Sequence, residues 1–173
     1  MKKYLLILLA AMAFAACGDD NSQEANIDKE VPEEVAMQRI EAFFENAFSK
    51  NWGMDSFAFT YRHNEICVIN SREELAAIYT GEEDIPDIDF SKYTLLIGHV
   101  ITPDTGHTIS RLELTEKDGQ KTLYVYVHEW DSGLTVITPV LYWGLYPKFP
   151  QHQVNVVAMN ENGEPLREMD LDK

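Results

Sequence analysis

Residues 107–130 read HTISRLELTEKDGQKTLYVYVHEW, and this stretch decides the fold. Its second half alternates with a period of two, so Leu123, Val125 and Val127 share one face of an extended chain while Tyr124, Tyr126, His128 and Trp130 share the other. Residues 107–116 suit a strand as well, and Lys117-Asp118-Gly119-Gln120 between the two carries the Asp-Gly pair that tolerates the positive φ angles of a tight hairpin turn. The stretch predicts an antiparallel hairpin whose aliphatic row faces a core and whose aromatic row faces something else.

Outward from the hairpin, residues 93–101 put Tyr93, Leu95, Ile97 and Ile101 on one face and Leu96 and Val100 on the other, the pattern of a central strand buried on both sides. Residues 134–143 and 153–159 read as further strands, with an Asp131-Ser132-Gly133 turn before the first and a loop framed by Pro147 and Pro150 before the second. Phe57, Phe59 and Tyr61 alternate with Ser56, Ala58, Thr60 and Arg62, predicting a strand over 56–62, a His63-Asn64 turn, and a strand over 65–69.

Two helices are expected. Ile40, Phe43, Phe44, Ala47 and Phe48 recur at intervals of three and four, which lays one apolar stripe along a helix over 32–50. Pro32 suits its first turn, and Glu33 and Glu34 complement the positive N-terminal end. Ser71-Arg72-Glu73-Glu74 has the spacing of a capping box and opens a short helix with Leu75, Ile78 and Tyr79 on one side, ending near Gly81. The sum is an α+β domain: about seven antiparallel strands in a curled sheet, half-barrel or sandwich, with two helices. The phenylalanine stripe of helix 32–50 must be buried, and the row Tyr124, Tyr126, His128 and Trp130 is the surface it is expected to cover. If the row is instead exposed, it offers a flat platform for a sugar or an apolar partner.

The N-terminal segment has another purpose. Lys2 and Lys3, an apolar run over 4–14 and Ala15-Ala16 have the plan of an export signal, and Phe14-Ala15-Ala16-Cys17 resembles a lipobox, where bacterial signal peptidase II cuts before a diacylated cysteine. The run is short of the roughly 20 residues that span a bilayer as a helix. The expected organisation is a lipoprotein signal peptide over 1–16, a lipid on Cys17, an acidic flexible tether over 17–30, one globular domain over 31–160 and a polar tail over 161–173 that frays. The expected location is the outer membrane or cell surface, and Asp19-Asp20 resembles the surface-export signal of lipoproteins in one phylum of gut anaerobes.

Removing 1–16 takes two of the 14 basic residues and none of the 29 acidic ones, leaving twelve against 29 and a net charge of −17. Such a surface repels phosphate backbones, so nucleic acid is not an expected partner; the membrane is reached through the lipid. With Cys17 acylated, Cys67 has no thiol to pair with, and its setting in Ile66-Cys67-Val68-Ile69 is that of a small core hydrophobe.

Catalytic patterns are missing from the sequence. It has no G-x-S-x-G elbow, no Walker-type or dinucleotide glycine loop and no HExxH. His63, His99, His107, His128 and His152 are spread without ligand spacing, so no metal and no cofactor is expected. Asp84, Asp87 and Asp89 lack the glycine and the bidentate glutamate of a calcium loop and read as a solvated acidic stretch. The candidate ligand or partner surface is Tyr124, Tyr126, His128 and Trp130, together with the aromatic cluster Tyr142, Trp143, Tyr146 and Phe149.

From Ile69 to Met159 the chain resembles the C-terminal domain of PrcB-type protease-complex subunits, a family of bacterial lipoproteins or secreted accessory proteins. The resemblance is carried by residues 71–75, by Ile88-Asp89-Phe90-Ser91-Lys92-Tyr93 leading into an apolar strand, by Pro103-Asp104-Thr105-Gly106, and by Thr138-Pro139 and Pro147-Lys148. Where family members usually carry a second glycine and a tyrosine after the Thr-Gly pair, this chain has His107-Thr108. The resemblance implies a non-catalytic accessory role toward another envelope protein, a protease complex among the candidates. A glycan-binding surface module is the first alternative and a hydrolase the second.

Overall fold

The computed structural model describes residues 25–26, 34–49, 58–60, 66–130, 134–150 and 153–166. The signal segment, Cys17, most of the tether, the turns at His63-Asn64 and Asp131–133, His63, His152 and residues 167–173 lie outside the described residues, as does most of the strand expected over 56–62. Among the described residues no helix is long and apolar enough to cross a membrane.

The fold is α+β. Its elements run β1 (Ala25–Asn26), α1 (Glu34–Ser49), β2 (Cys67–Ile69), α2 (Arg72–Ile78), β3 (Tyr93–Thr102), β4 (His107–Lys117), β5 (Gln120–Glu129), β6 (Thr138–Pro147) and β7 (Asn155–Asn160). The strands form two curled sheets, ordered β2-β3-β6 and β1-β4-β5-β7, neither closed into a barrel.

β3 is the divider. It lies at the centre of the three-stranded sheet, and its alternation sends Tyr93, Leu95 and Ile97 to one core and Leu96 to another. Its antiparallel register with β6 sorts that strand identically: Leu95 faces Leu145 and Ile97 faces Trp143 on the helical side, while Gly98 faces Tyr142 and Thr94 faces Tyr146 on the side of the second sheet. A slip of one residue would exchange the two sets, so both cores fix the register together.

On the helical side, Ile40, Phe43, Phe44 and Ala47 of α1 pack with Leu75 of α2, Phe59 and Ile69. Phe44 stacks on Trp143 with ring centroids 4.3 Å apart. The α2 N-terminus is capped as expected by the Ser71 hydroxyl, which accepts the Glu74 amide at 3.1 Å; the Glu74 carboxylate reaches back one residue further than a capping box requires, to the Asn70 amide. Between the sheets, Leu96, Tyr142, Tyr146 and Phe149 meet Leu114, Leu123 and Val125 of the hairpin. Burial there pushes the Tyr146 phenol well above the usual tyrosine range.

Four expectations change. Of the strand expected over 134–143, the first four residues stand outside the ladder, and pairing starts at Thr138 and runs to Pro147. β7 pairs parallel to β5, so the sheets are not wholly antiparallel; β7 arrives from the β6 side and joins the free edge of β5 in the same direction. Two residues of the expected tether, Ala25 and Asn26, pair with Glu116 and Thr115 of β4. The tail does not fray at once after 160: Gly163, at φ +79°, turns residues 161–166 back on β7, and the Leu166 amide donates to Ala158 O at 2.8 Å.

Candidate functional site

The hairpin turn forms as the Asp-Gly pair predicts, with Asp118 and Gly119 both at positive φ (52° and 77°). From it β4 and β5 run antiparallel to a bulge between Ile109 and Arg111, where Ser110 is the extra residue and its hydroxyl donates to Tyr126 O at 3.2 Å. Leu123, Val125 and Val127 are buried, as their alternation requires.

The aromatic row is on the outer face, and α1 does not cover it. The apolar stripe of α1 is spent on β3, β6 and Phe59, on the far side of the three-stranded sheet, so the expected cover of this row is wrong. Tyr124, Tyr126 and His128 are half-buried and Trp130 is exposed. The row is flanked in register by Glu113 and Arg111 of β4 and by Val157 and Met159 of β7. The Arg111 guanidinium lies 3.8 Å from the Tyr126 ring centroid, a cation–π contact that occupies one face of that ring. His128 Nδ1 stands 2.7 Å from Glu161 Oε2 in the turn after β7.

The second aromatic cluster is not a surface. Tyr142, Tyr146 and Phe149 are buried between the sheets, and Trp143 is stacked under Phe44. β6 is an edge strand by pairing, yet both of its faces are roofed, one by the hairpin and one by α1, which is why its aromatics turn inward. Cys67 sits opposite Ile97 and packs against the helical core, as a small hydrophobe does.

Next to Trp130, which the sequence singled out, lies an apolar surface it did not, where the chain leaves the sheets. Trp130, Leu134, Val136 and Ile137 are 46, 58, 56 and 50 % exposed. Two of them are tied to the β3–β4 loop, the Trp130 amide donating to Gly106 O at 2.7 Å and the Thr105 amide to Leu134 O at 3.3 Å, while the Thr138 hydroxyl, just after the run, donates to Val136 O at 2.7 Å. The residues at 134–137 have strand composition, which hid them; among the described residues no strand pairs with this run.

In the acidic stretch, Asp89 builds the turn into β3: its carboxylate accepts the Ser91 amide at 3.1 Å and the Ser91 hydroxyl at 2.5 Å, and Lys92 Nζ lies at 3.3 Å. The Ser91 hydroxyl, with Lys92 beside it, holds the Asp89 carboxyl below its ordinary value. A cleft of about 530 Å³ between α1 and residues 87–93 is lined by Asp87 and Asp89 among others, with no histidine or cysteine in its lining. Among the described residues, metal-type donors come together at Asp104, His107 and Glu129, so His107 is not the isolated histidine its sequence context predicts.

No family model matches the chain, and no curated protein or solved structure matches it either.

Proposed function

We propose that this protein is a lipid-anchored envelope lipoprotein, held at Cys17 on the outer membrane or cell surface, that acts as a non-catalytic binding or accessory module and docks another envelope protein through the loop end of its sheets. One observation carries the reading: Leu134, Val136 and Ile137 are half or more exposed and Trp130 is 46 % exposed, with Trp130 and Leu134 tied by backbone hydrogen bonds to Gly106 and Thr105 of the β3–β4 loop. An apolar group of this kind gains roughly 25 cal/mol for each Å² that a partner covers, and Trp at its rim is a residue type enriched at binding hot spots. Three aliphatic side chains suit an apolar protein surface better than a sugar. The resemblance of residues 69–159 to PrcB-type subunits makes a protease complex the first partner to test.

The test is a photo-crosslinking residue at Val136 in the anchored chain, in native membranes. The reading expects one dominant envelope protein to crosslink, and Leu134→Ser with Ile137→Ser to abolish the adduct without shifting the melting temperature. Equal crosslinking by the double variant removes the loop from the interface.

A second reading has its own support. Because α1 packs on the three-stranded sheet and not here, the partly exposed row Tyr124, Tyr126 and Trp130 supports a glycan-binding reading. Arg111 over the Tyr126 ring argues against it, since a sugar must displace the guanidinium. Glycan-array binding lost in Tyr124→Ala would favour this reading over the docking one.

A further inference from the structure

We propose that Asp104, His107 and Glu129 form a binding site for a divalent transition-metal ion of the zinc class. The ligand atoms of the three side chains lie within 4.8 Å of one another, and they come from three places: the β3–β4 loop, the first residue of β4 and the last residue of β5. The inference rests on this geometry alone and is independent of the docking reading.

The bulge is what assembles the site. Counting back from the turn in the register that pairs Lys117 with Gln120 and Arg111 with Tyr126, His107 would face Trp130; the extra residue at Ser110 moves it by one, and His107 faces Glu129. Bulges are found where a strand must re-aim a side chain, and here the re-aimed side chain is an imidazole set opposite a carboxylate. Asp104 is fixed from the other direction, because its Oδ1 accepts the Gly106 amide at 2.7 Å.

His107 supplies an observation separate from the acids. Its side chain is only 7 % exposed, and Nδ1 stands 2.9 Å from Asp104 Oδ1 without making a hydrogen bond of proper angle. A buried ring nitrogen so placed lacks a satisfied partner, and its lone pair is the atom a metal ion would take. The two carboxylates carry two negative charges that one divalent cation cancels. Ligands of one ion stand on the order of 3–4 Å apart, given bonds of about 2.0–2.2 Å. Asp104 and His107 are already in reach, and the exposed Glu129 side chain can close the remainder by rotating. One imidazole with two carboxylates suits zinc-class ions better than calcium or magnesium, which prefer oxygen alone, and three protein ligands leave a coordination position open.

The experiment titrates Zn²⁺, and separately Ca²⁺, into the chelator-stripped full chain carrying Cys17→Ser, which removes one competing thiol. One Zn²⁺ per chain is expected, with a rise in melting temperature on binding. Affinity should fall at least tenfold in His107→Ala and in Glu129→Gln, and stay unchanged in His128→Ala, which alters the other histidine–carboxylate pair. Glu129→Gln decides the matter if His107→Ala fails to fold, because Glu129 is exposed and its loss leaves the ladder intact. The proposal is overturned if Zn²⁺ gives no binding up to millimolar concentration, if Glu129→Gln binds as the parent does, or if Ca²⁺ binds as tightly as Zn²⁺.

Discussion

The phenol ring of Tyr142 lies across the Cα of Gly98, its direct cross-strand partner, so that a Cβ at Gly98 would overlap the ring. Gly98 therefore serves as the floor of the Tyr142 site between the sheets rather than as a turn residue. Gly98→Ala is expected to cost about 1–3 kcal/mol, the range of an overpacked core. Because the cost arises from this one contact, Gly98→Ala with Tyr142→Ala should destabilise by less than the sum of the single changes, in urea unfolding of all four chains.

Phe44 and Tyr126 are both aromatic, and they should respond differently. Phe44 is fully buried between Trp143 and Phe59, so Phe44→Ala should cost about 3–5 kcal/mol. Tyr126 lies on the open face, where its main contact is Arg111; Tyr126→Ala should cost about 1 kcal/mol or less. Comparable losses for the two would mean that the outer face is covered after all.

Lys121 is a buried cation, with its side chain 6 % exposed, its ammonium paired with Glu116 and lying 5.1 Å from the Phe149 ring centroid. Glu116→Gln leaves that ammonium without its counter-charge and should destabilise by about 1–3 kcal/mol, less than for a fully enclosed pair because Glu116 is 38 % exposed. Lys121→Met keeps the stem and removes the charge, and should stay within about 1 kcal/mol of the parent.

Asp89 gives a pH dependence with a definite sign. Its carboxyl is held below the ordinary value by the Ser91 hydroxyl, so the folded chain binds that proton less readily than the unfolded one. The contribution is present above about pH 4, the ordinary aspartate value, and is lost as pH falls through the lower, folded value. Melting temperatures of the parent and Asp89→Asn should differ at pH 6, with the parent higher, and converge on acidification. A difference that does not shrink on acidification would contradict this account.

The period of two in residues 121–130 sorted buried Leu123, Val125 and Val127 from the outer row, and the spacing of Ile40, Phe43, Phe44 and Ala47 marked the buried stripe of α1. Periodicity says which residues turn inward; it does not say against which layer. The stripe had two apolar surfaces to choose between, and the Trp143 and Leu145 side of β6, masked in the sequence by an aromatic-rich composition, took it. The direction of β7 was equally hidden, since a strand pattern is the same read parallel or antiparallel. The meeting of His107 with Glu129 depends on one bulge, and nothing in the residues at 109–111 announces that extra position.

The placement of the hairpin between β3 and β6 also sets an order of assembly. Thr102 bonds to Thr138, 36 residues on, and Thr94 to Phe149, 55 residues on, whereas β4 and β5 meet through a two-residue turn. Closing long loops costs entropy that short ones avoid, and hairpins form in microseconds. The expected order is from the inside out, with the hairpin closing first, shortening the span between β3 and β6 and presenting the Leu123–Val125 surface on which Tyr142 and Tyr146 settle; high φ-values in the hairpin and low ones in β6 would check it.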